Sequence, residues 1–191
     1  MFLLKLILTF TAAAWLSGCI ATQVLGLNIQ TVSLYQSGQY DRALVVANKA
    51  LEVAEKEWGS DHLVVAQSLG NAAVLYHAQG QYAKAESLLI RSLAILEKTL
   101  GPIHADVALN LSTLAVLYQI QGQYAKAEPL FMRSLAIWDK TFMPDHPNLA
   151  KILNELADLY YVQGQYSKAK PLYIRSLAIW EKALGPNHRY V

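Results

Sequence analysis

The sequence predicts an all-α fold, an α-solenoid of four helix-turn-helix repeats, and two observations carry this prediction. The tripeptide Gly-Gln-Tyr recurs at one constant spacing, beginning at Gly38, Gly80, Gly122 and Gly164. The 16-residue segments that start at Gln81, Gln123 and Gln165 share 12 positions between successive copies. A constant period of 42 residues is typical of stacked helical repeats, in which each unit packs on its neighbours.

Each repeat is predicted to contain two amphipathic helices, which we call helix A and helix B. In the second repeat, apolar residues at i, i+3, i+4 and i+7 place helix A at about Leu63 to Ala78. Gly80 ends helix A, because glycine adopts the left-handed conformation without steric cost. Helix B then runs from about Tyr82 to the Gly101-Pro102 break. The four repeats are placed at about residues 22–58, 63–100, 105–142 and 147–184, within a repeat domain of residues 19–191.

The segment 1–18 has the pattern of a secretory signal peptide. A short charged region, Met1 to Lys5, precedes the apolar run from Leu6 to Trp15. Leu16-Ser17-Gly18-Cys19 follows, and Cys19 is the only cysteine in the chain. This tetrapeptide resembles the lipobox of bacterial lipoproteins, which implies cleavage before Cys19 and a diacylglycerol on its thiol. The alternative is an uncleaved anchor that contains an unused cysteine.

Lipidation of Cys19 would fix the location of the protein. A diacyl chain with an acylated amino terminus supplies the two or more apolar anchors that stable membrane attachment requires. The following residue is Ile20 rather than aspartate, and resemblance to lipoprotein sorting signals then implies the outer membrane, facing the periplasm, in an organism with two membranes. No thiol would remain for a disulfide, a metal ion or catalysis.

Composition and charge exclude one class of partner. The chain is 54% hydrophobic and 16% charged, and its 16 basic and 14 acidic residues are spread along the repeats. There is no basic run of the kind that neutralises phosphates, so nucleic acid is not an expected partner.

The repeat resembles a known family in its residue types and spacing. In the third copy, the pattern consists of Leu111, Leu114-Ala115, Tyr118, Gly122, Tyr124, Ala127, Phe131 and Leu135. This order resembles the tetratricopeptide repeat, in the longer variety of the kinesin light chains. The resemblance implies a short right-handed superhelix with a concave groove lined by helices A. It is weakest in the first copy, where Thr31 replaces a small residue and Leu34 replaces the tyrosine.

The histidines form a periodic series that does not indicate catalysis or metal binding. They recur once per repeat, at His62, His104, His146 and His188. Two helices per repeat separate equivalent residues by roughly 15 to 20 Å, because packed helices lie about 8 to 10 Å apart. Metal ligands must lie about 2 Å from a shared ion. Each histidine instead precedes a helix A, where its side chain is predicted to cap free backbone amides. No metal, cofactor or catalytic residue is predicted.

The resemblance implies that side chains of helices A line a partner-binding groove. The predicted groove residues are Asn71, Val74 and His77 in the second repeat, Ser112, Thr113, Val116 and Gln119 in the third, and Asn154, Asp158 and Tyr161 in the fourth. The asparagines with which kinesin light chains bind a peptide backbone are kept only in part, at Asn71 and Asn154.

The sequence therefore favours a non-enzymatic protein-protein interaction adaptor, a membrane-anchored lipoprotein that binds a segment of an envelope protein through this groove. One alternative is a structural module that self-associates, including a homodimer through the C-terminal repeat, whose helix B keeps an internal apolar pattern. Another alternative is a periplasmic domain that binds a small molecule or a glycan, which is supported only by the abundance of tyrosine.

The first prediction concerns the anchor. The substitution Cys19→Ser should abolish lipidation, because serine has no thiol to receive the diacylglycerol, and should leave the protein unprocessed or free in the periplasm. Membrane fractionation and gel mobility measure this directly. Unchanged fractionation and mobility would contradict the lipoprotein prediction.

Overall fold

The computed structural model describes residues 21–141 and 145–185, and this part of the chain forms eight helices. They are α1 (residues 21–36), α2 (Tyr40–Trp58), α3 (Leu63–Ala78), α4 (Tyr82–Leu100), α5 (Ala105–Ile120), α6 (Tyr124–Thr141), α7 (Pro147–Val162) and α8 (Tyr166–Leu184). Consecutive helices pair, so α1, α3, α5 and α7 are the helices A of four helix-turn-helix repeats. The predicted α-solenoid repeats are confirmed. The predicted signal peptide, Cys19 and His188 lie outside the described residues.

The chain divides into two compact units, Met1–Ile95 and Leu96–Val191, and the boundary falls within α4. The core of the first unit is built from small residues of α2 and α3. Ala43, Ala47, Ala72 and Leu75 are buried, and partly buried apolar side chains pack against them, namely Leu34, Leu44, Tyr76 and Leu88. Alanine at these positions lets the helices approach closely.

In the second unit, α5 packs on α6, α7 packs on α8, and α6 also packs on α7. Its largest fully buried side chains include Phe131 of α6 and Leu156 of α7. Ala127 and Ala169 are buried at the register of Ala43, where a small side chain lets the paired helices approach closely. Within the described parts of both units, no helix has the length and apolar character that crossing a bilayer requires.

The turn between helix A and helix B is closed by backbone hydrogen bonds around a left-handed glycine. In the third repeat, Gly122 has φ of +70°. The N–H of Gln123 donates to the carbonyl of Tyr118 at 2.8 Å, which ends α5 in the way of a Schellman motif. The side-chain amide of Gln123 donates to Oε1 of Gln121 at 2.9 Å. Equivalent amide pairs are present in the second and fourth repeats.

The predicted histidine caps are confirmed in the three repeats where they are described. The imidazole Nδ1 accepts from the backbone N–H two residues later, at 3.3 Å for His62, 3.2 Å for His104 and 3.1 Å for His146. Two of these rings also stack on a tryptophan in the last turn of the preceding helix B, with centroids 5.6 Å apart for Trp58–His62 and 4.7 Å apart for Trp138–His146. These histidines and tryptophans therefore stabilise the linkers between repeats, by capping the next helix A and by stacking on each other.

A buried serine joins helix B to helix A inside three of the repeats. The hydroxyls of Ser92, Ser134 and Ser176 donate to the carbonyls of Ala66, Ala108 and Ala150 at 2.8, 2.6 and 2.7 Å. Each serine is almost fully buried, and the bond satisfies a hydroxyl that would otherwise be costly to remove from water. The first repeat has the buried Ala50 at this register.

The second prediction tests this hydrogen bond. The substitution Ser134→Ala should lower the free energy of unfolding by about 1 kcal/mol, because a buried hydrogen bond is lost at constant fold. Urea unfolding followed by circular dichroism measures the change. Ser87→Ala is the matched control, since the exposed Ser87 hydroxyl donates only to the Lys84 carbonyl of its own helix, at 2.9 Å. An equal loss in both variants would contradict a special role for Ser134.

Candidate functional site

The motif tyrosines of helices A belong to the framework rather than to a binding surface. Tyr160 is buried, and its hydroxyl donates to Oε1 of Glu128 on the preceding helix B at 2.8 Å. Burial, followed by this hydrogen bond, raises the pKa of Tyr160 to about 12. The ammonium of Lys168 lies 4.9 Å from the centroid of the Tyr160 ring. The same lysine contact recurs at Tyr76 and Tyr118, at 5.2 and 5.0 Å.

Ion pairs between successive helices B lie at one register. Arg91 pairs with Glu55 at 2.5 Å, Arg133 with Glu97 at 2.6 Å and Arg175 with Asp139 at 2.5 Å. These side chains are one-third to two-fifths exposed, so each pair adds little to stability. Each pair joins two successive helices B and involves no residue of a helix A.

In the first unit, the predicted groove residues of α3 are half-buried. Asn71 donates from its side-chain amide to Oδ1 of Asn28 on α1 at 3.1 Å. The ring of His77 lies against Tyr82, with centroids 5.7 Å apart. Val74 lies between Asn71 and His77 along the same face of α3. A shallow cleft of about 370 Å³ opens beside Asn71, and its other walls come from α1.

The α1 side of this cleft is a functional candidate that the sequence analysis missed. It consists of Asn28, Ile29, Val32, Ser33 and Gln36. The repeat period could have found it, because Val32 shares the register of Val74 and Val116, and Asn28 shares that of Asn154. The weak match of the first repeat to the family pattern hid this correspondence.

In the second unit, the polar groove residues of α5 do not present free hydroxyl protons. Ser112 and Thr113 both donate to the carbonyl of Leu109, at 2.9 and 2.8 Å, within their own helix. Their oxygens keep acceptor capacity only. Val116 and Gln119 continue the same face and are half-buried. The α5 face is therefore mainly apolar, and its two hydroxyl groups can accept hydrogen bonds from a partner but have no proton left to donate.

The predicted groove residues of α7 differ in exposure and in how many neighbouring side chains hold them. Tyr161 is 56% exposed, and its ring lies 5.2 Å from that of Tyr166 at the turn to α8. Asn154 is exposed and donates to Oδ2 of Asp158 at 3.3 Å. Asp158 also accepts a hydrogen bond from the hydroxyl of Tyr173 on α8. Asp158 is thus held by two neighbours and is not an unattached groove carboxylate.

Two groups beside Asp158 have shifted protonation equilibria. Burial raises the pKa of Tyr173 well above its ordinary value, and its hydrogen bond to Asp158 raises it further. Burial also raises the pKa of the Glu155 carboxyl; the charge of Lys151 opposes this shift and the charge of Asp158 adds to it. This part of α7 therefore combines a carboxyl group with a raised pKa, Glu155, and a hydrogen-bonded carboxyl group, Asp158, with one lysine and one exposed tyrosine.

The described residues contain no group of three or more His, Cys, Asp or Glu side chains that could hold a metal ion. The acid-histidine pairs of the linkers are engaged locally. Asp61 accepts from the Ser60 hydroxyl at 3.3 Å, and Asp106 lies 3.6 Å from the His104 Nδ1 that caps α5. Such short-range contacts at helix ends orient no nucleophile.

Comparison with known proteins identifies the class of the chain. A family model described as Tetratricopeptide repeat matches residues 32–98, 106–181 and 148–191. These matches cover more than half of the chain, which therefore belongs to the tetratricopeptide repeat family. Repeats of this family generally form protein-binding scaffolds and are typically non-catalytic. The comparison with curated proteins finds no significant match.

The solved structures that resemble the chain include kinesin-light-chain-like repeats. A putative kinesin light chain from Podosopora anserina with nearly identical TPR-like repeats is 29% identical, with a TM-score of 0.75, over 88% of this chain and 80% of that one. BtubC (BKLC) from P. vanneervenii is 22% identical, with a TM-score of 0.73, over 85% of this chain and 66% of that one. Aspartyl phosphate phosphatase F from Bacillus subtilis is 20% identical, with a TM-score of 0.74, over 84% of this chain and 41% of that one.

The last two likenesses show the fold alone. The chain spans just under two thirds of BtubC and less than half of the phosphatase. The kinesin-light-chain resemblance predicted from the repeat pattern is supported by the structures. The predicted groove residues stay a prediction, because none of these comparisons tests them.

The third prediction concerns the charge of Glu155. Its pKa is raised in the folded protein, so the folded state binds more protons than the unfolded state, and stability falls as pH rises through the interval between the two pKa values. Glu155→Gln removes this proton linkage while keeping the shape of the side chain. We expect equal stability of variant and parent near about pH 3, where Glu is protonated in both states, and a relative gain for the variant towards about pH 7.

Urea unfolding at several pH values measures this difference, and the values near about pH 3 are the internal control. A difference that is constant with pH, or that changes in the opposite direction, would show that Glu155 is ionised as readily in the folded chain as in the unfolded one.

Proposed function

We propose that the protein is a non-enzymatic adaptor whose helices A bind a segment of another protein, and that a lipid on Cys19 anchors it in the cell envelope. The partner is an envelope protein, and the anchor holds the repeats at the outer membrane on the periplasmic side in an organism with two membranes. The tetratricopeptide framework supports protein binding in general. The lipobox-like sequence supports the anchor.

The single observation that carries the proposal is the division of each helix A into two faces. On α7, Leu153, Leu156 and Ala157 are buried, whereas Asn154 and Tyr161 are exposed. A large exposed aromatic beside polar side chains is typical of binding surfaces, because tyrosine offers apolar area and a hydrogen-bonding hydroxyl at small entropic cost. Asn154 bonds to Asp158 of its own helix and the Tyr161 ring lies against Tyr166, and the exposed remainder of both side chains is available to a partner.

A self-associating module is the second candidate, and one observation on α8 favours it. Leu177 is 40% exposed there, whereas the equivalent Leu93 and Leu135 are half-buried. An apolar surface of this kind gains from being covered by a second copy. Because this difference concerns a single leucine, it supports self-association less strongly than the exposed faces of the helices A support binding of another protein. For the small-molecule alternative, the open cleft beside α1 lies at the low end of ligand-pocket volumes.

The fourth prediction separates these candidates by site-specific crosslinking. The photoreactive residue p-benzoylphenylalanine is placed in the full chain at Val116 of α5 or at Asn154 of α7, and the cells are irradiated. The matched control is Met132 of α6, an exposed apolar residue on a helix B. We expect one dominant adduct with a different protein from both helix A positions and none from Met132.

A double variant tests whether the crosslinked partner binds through the exposed side chains of α7. Asn154→Ala with Tyr161→Ala should lower the yield of the Val116 adduct about tenfold, since losses of this size are typical of central interface residues. Circular dichroism should stay unchanged, because both side chains are exposed. Adducts from Met132 as strong as those from Val116 would contradict the groove. Adducts formed only between copies of this chain would favour self-association instead.

A further inference from the structure

The cleft beside α1 contains no charged side chain. Its lining consists of Asn28, Ile29, Val32, Ser33, Gln36 and Asn71. The two helices that supply these residues also lack Asp, Glu, Lys and Arg over their described lengths. A ligand in the cleft would therefore meet apolar side chains and neutral hydrogen-bonding groups.

The apolar part of the lining is left in water. Ile29 is 62% exposed and Val32 is 44% exposed. They lie three residues apart, so they occupy neighbouring places on one side of α1. An aliphatic side chain between them would remove apolar surface of both partners from water, which is favourable in proportion to the area buried.

The polar part of the lining has unused hydrogen-bonding capacity. One side-chain N–H of Asn71 donates to Oδ1 of Asn28 at 3.1 Å, and the amide of Asn28 lies 3.4 Å from the hydroxyl of the buried Ser68. A primary amide has two N–H donors and one oxygen acceptor. These contacts orient the Asn28 amide and leave Oδ1 of Asn71 and a second N–H on each asparagine for a ligand. One acceptor beside free donors matches the N–H and C=O of a peptide backbone.

We infer that this cleft is a binding site for an extended, uncharged peptide segment, which places an aliphatic side chain against Ile29 and Val32 and hydrogen-bonds its backbone to Asn28 and Asn71. The inference rests on the proposed function and deepens it by naming the chemistry of one part of the partner. A charged side chain is rejected, because the cleft offers no opposite charge to offset its loss of water.

A bilayer surface is the competing occupant, and the geometry favours the peptide. The lining of the shallow cleft combines two aliphatic side chains with amide groups, and amides form directional hydrogen bonds that suit a peptide backbone better than a fluid surface. The helix α1 also carries no Lys or Arg that would attract anionic headgroups.

The fifth prediction tests the cleft with defined probes. The full chain, purified in a mild non-ionic detergent, is panned against a phage-displayed library of random 12-residue peptides. Selected peptides are synthesised with a fluorophore, and their dissociation constants are measured by fluorescence polarisation. We expect enriched sequences with an uncharged core that contains Leu, Ile, Val or Met. Exchanging that residue for Asp should abolish binding, and exchange for Ala should weaken it about tenfold or more.

Three variants of the protein locate the binding. Val32→Asp introduces a charge into the wall of the cleft, and Asn71→Ala removes the amide acceptor; each should weaken binding at least tenfold. Val45→Asp is the matched control, because Val45 is 70% exposed on α2, belongs to the same unit and lies outside the cleft lining. The control should leave the dissociation constant within about twofold, as expected for an exposed substitution. Circular dichroism checks the fold of each variant.

The other outcomes each overturn the inference. Selected peptides that depend on Val116 of α5 and not on Val32 would leave the proposed function standing and remove this site. Failure to select any peptide, or equal effects of Val32→Asp and Val45→Asp, would also exclude it. With p-benzoylphenylalanine at Ile29, an adduct within the chain to residues 1–20 would show that the protein's own segment occupies the cleft. Binding to vesicles of phosphatidylethanolamine and phosphatidylglycerol (3:1) that Val32→Asp abolishes, without peptide binding, would identify a membrane contact.

Discussion

The left-handed turn between helix A and helix B is the constraint on which the rest of the structure depends. Its glycines, Gly38, Gly80, Gly122 and Gly164, have φ values of +74°, +73°, +70° and +72°. Among the described residues, only glycines have positive φ, since a Cβ in this conformation costs about 1 to 2 kcal/mol. Because the turn keeps one conformation and one length, each contact around it recurs at the same register. The buried serines, the histidine caps and the arginine pairs each recur at a constant register in three places for this reason.

A fixed framework allows one face of helix A to vary without loss of stability. The residues that close the repeat, such as Tyr160 and Ser134, have their hydrogen bonds inside the framework. The groove register is occupied in turn by Val32, Val74, Val116 and Asp158, and of these only Asp158 bonds to another helix, through the hydroxyl of Tyr173. Substitution there changes what the surface can bind, whereas substitution in the framework changes whether the repeat folds. Protein binding as the function therefore follows from where the sequence is free to differ between copies.

The sequence predicts most of the fold because the fold is periodic. The bounds of α3 follow from an apolar stripe and a glycine, and the cap of α5 follows from a polar residue before a helix. The hydrogen bond between Tyr173 and Asp158 was beyond prediction, because it depends on the distance between two helices and on one rotamer of each side chain. The same holds for the Asn28–Asn71 pair, and for Ser112 and Thr113, whose hydroxyls return to their own helix. The repeat spacing thus predicts which positions face the groove. It does not predict which hydrogen bonds those side chains make, and these bonds decide the chemistry of the surface.

These contacts give the two units different binding chemistry. In the first unit, the described parts of α1 and α3 carry no Asp, Glu, Lys or Arg, and the groove side chains are aliphatic residues, amides, hydroxyls and one histidine. In the second unit, α7 carries Lys151, Glu155 and Asp158 within about two turns of helix. Removing a charge from water is costly unless a partner charge or several hydrogen bonds replace the water. The first unit offers no such replacement for a charged side chain, whereas the carboxyl groups of α7 can accept hydrogen bonds or face a cation. On the proposed function, selectivity in the first unit would come from the exclusion of charge, and in the second from its pairing.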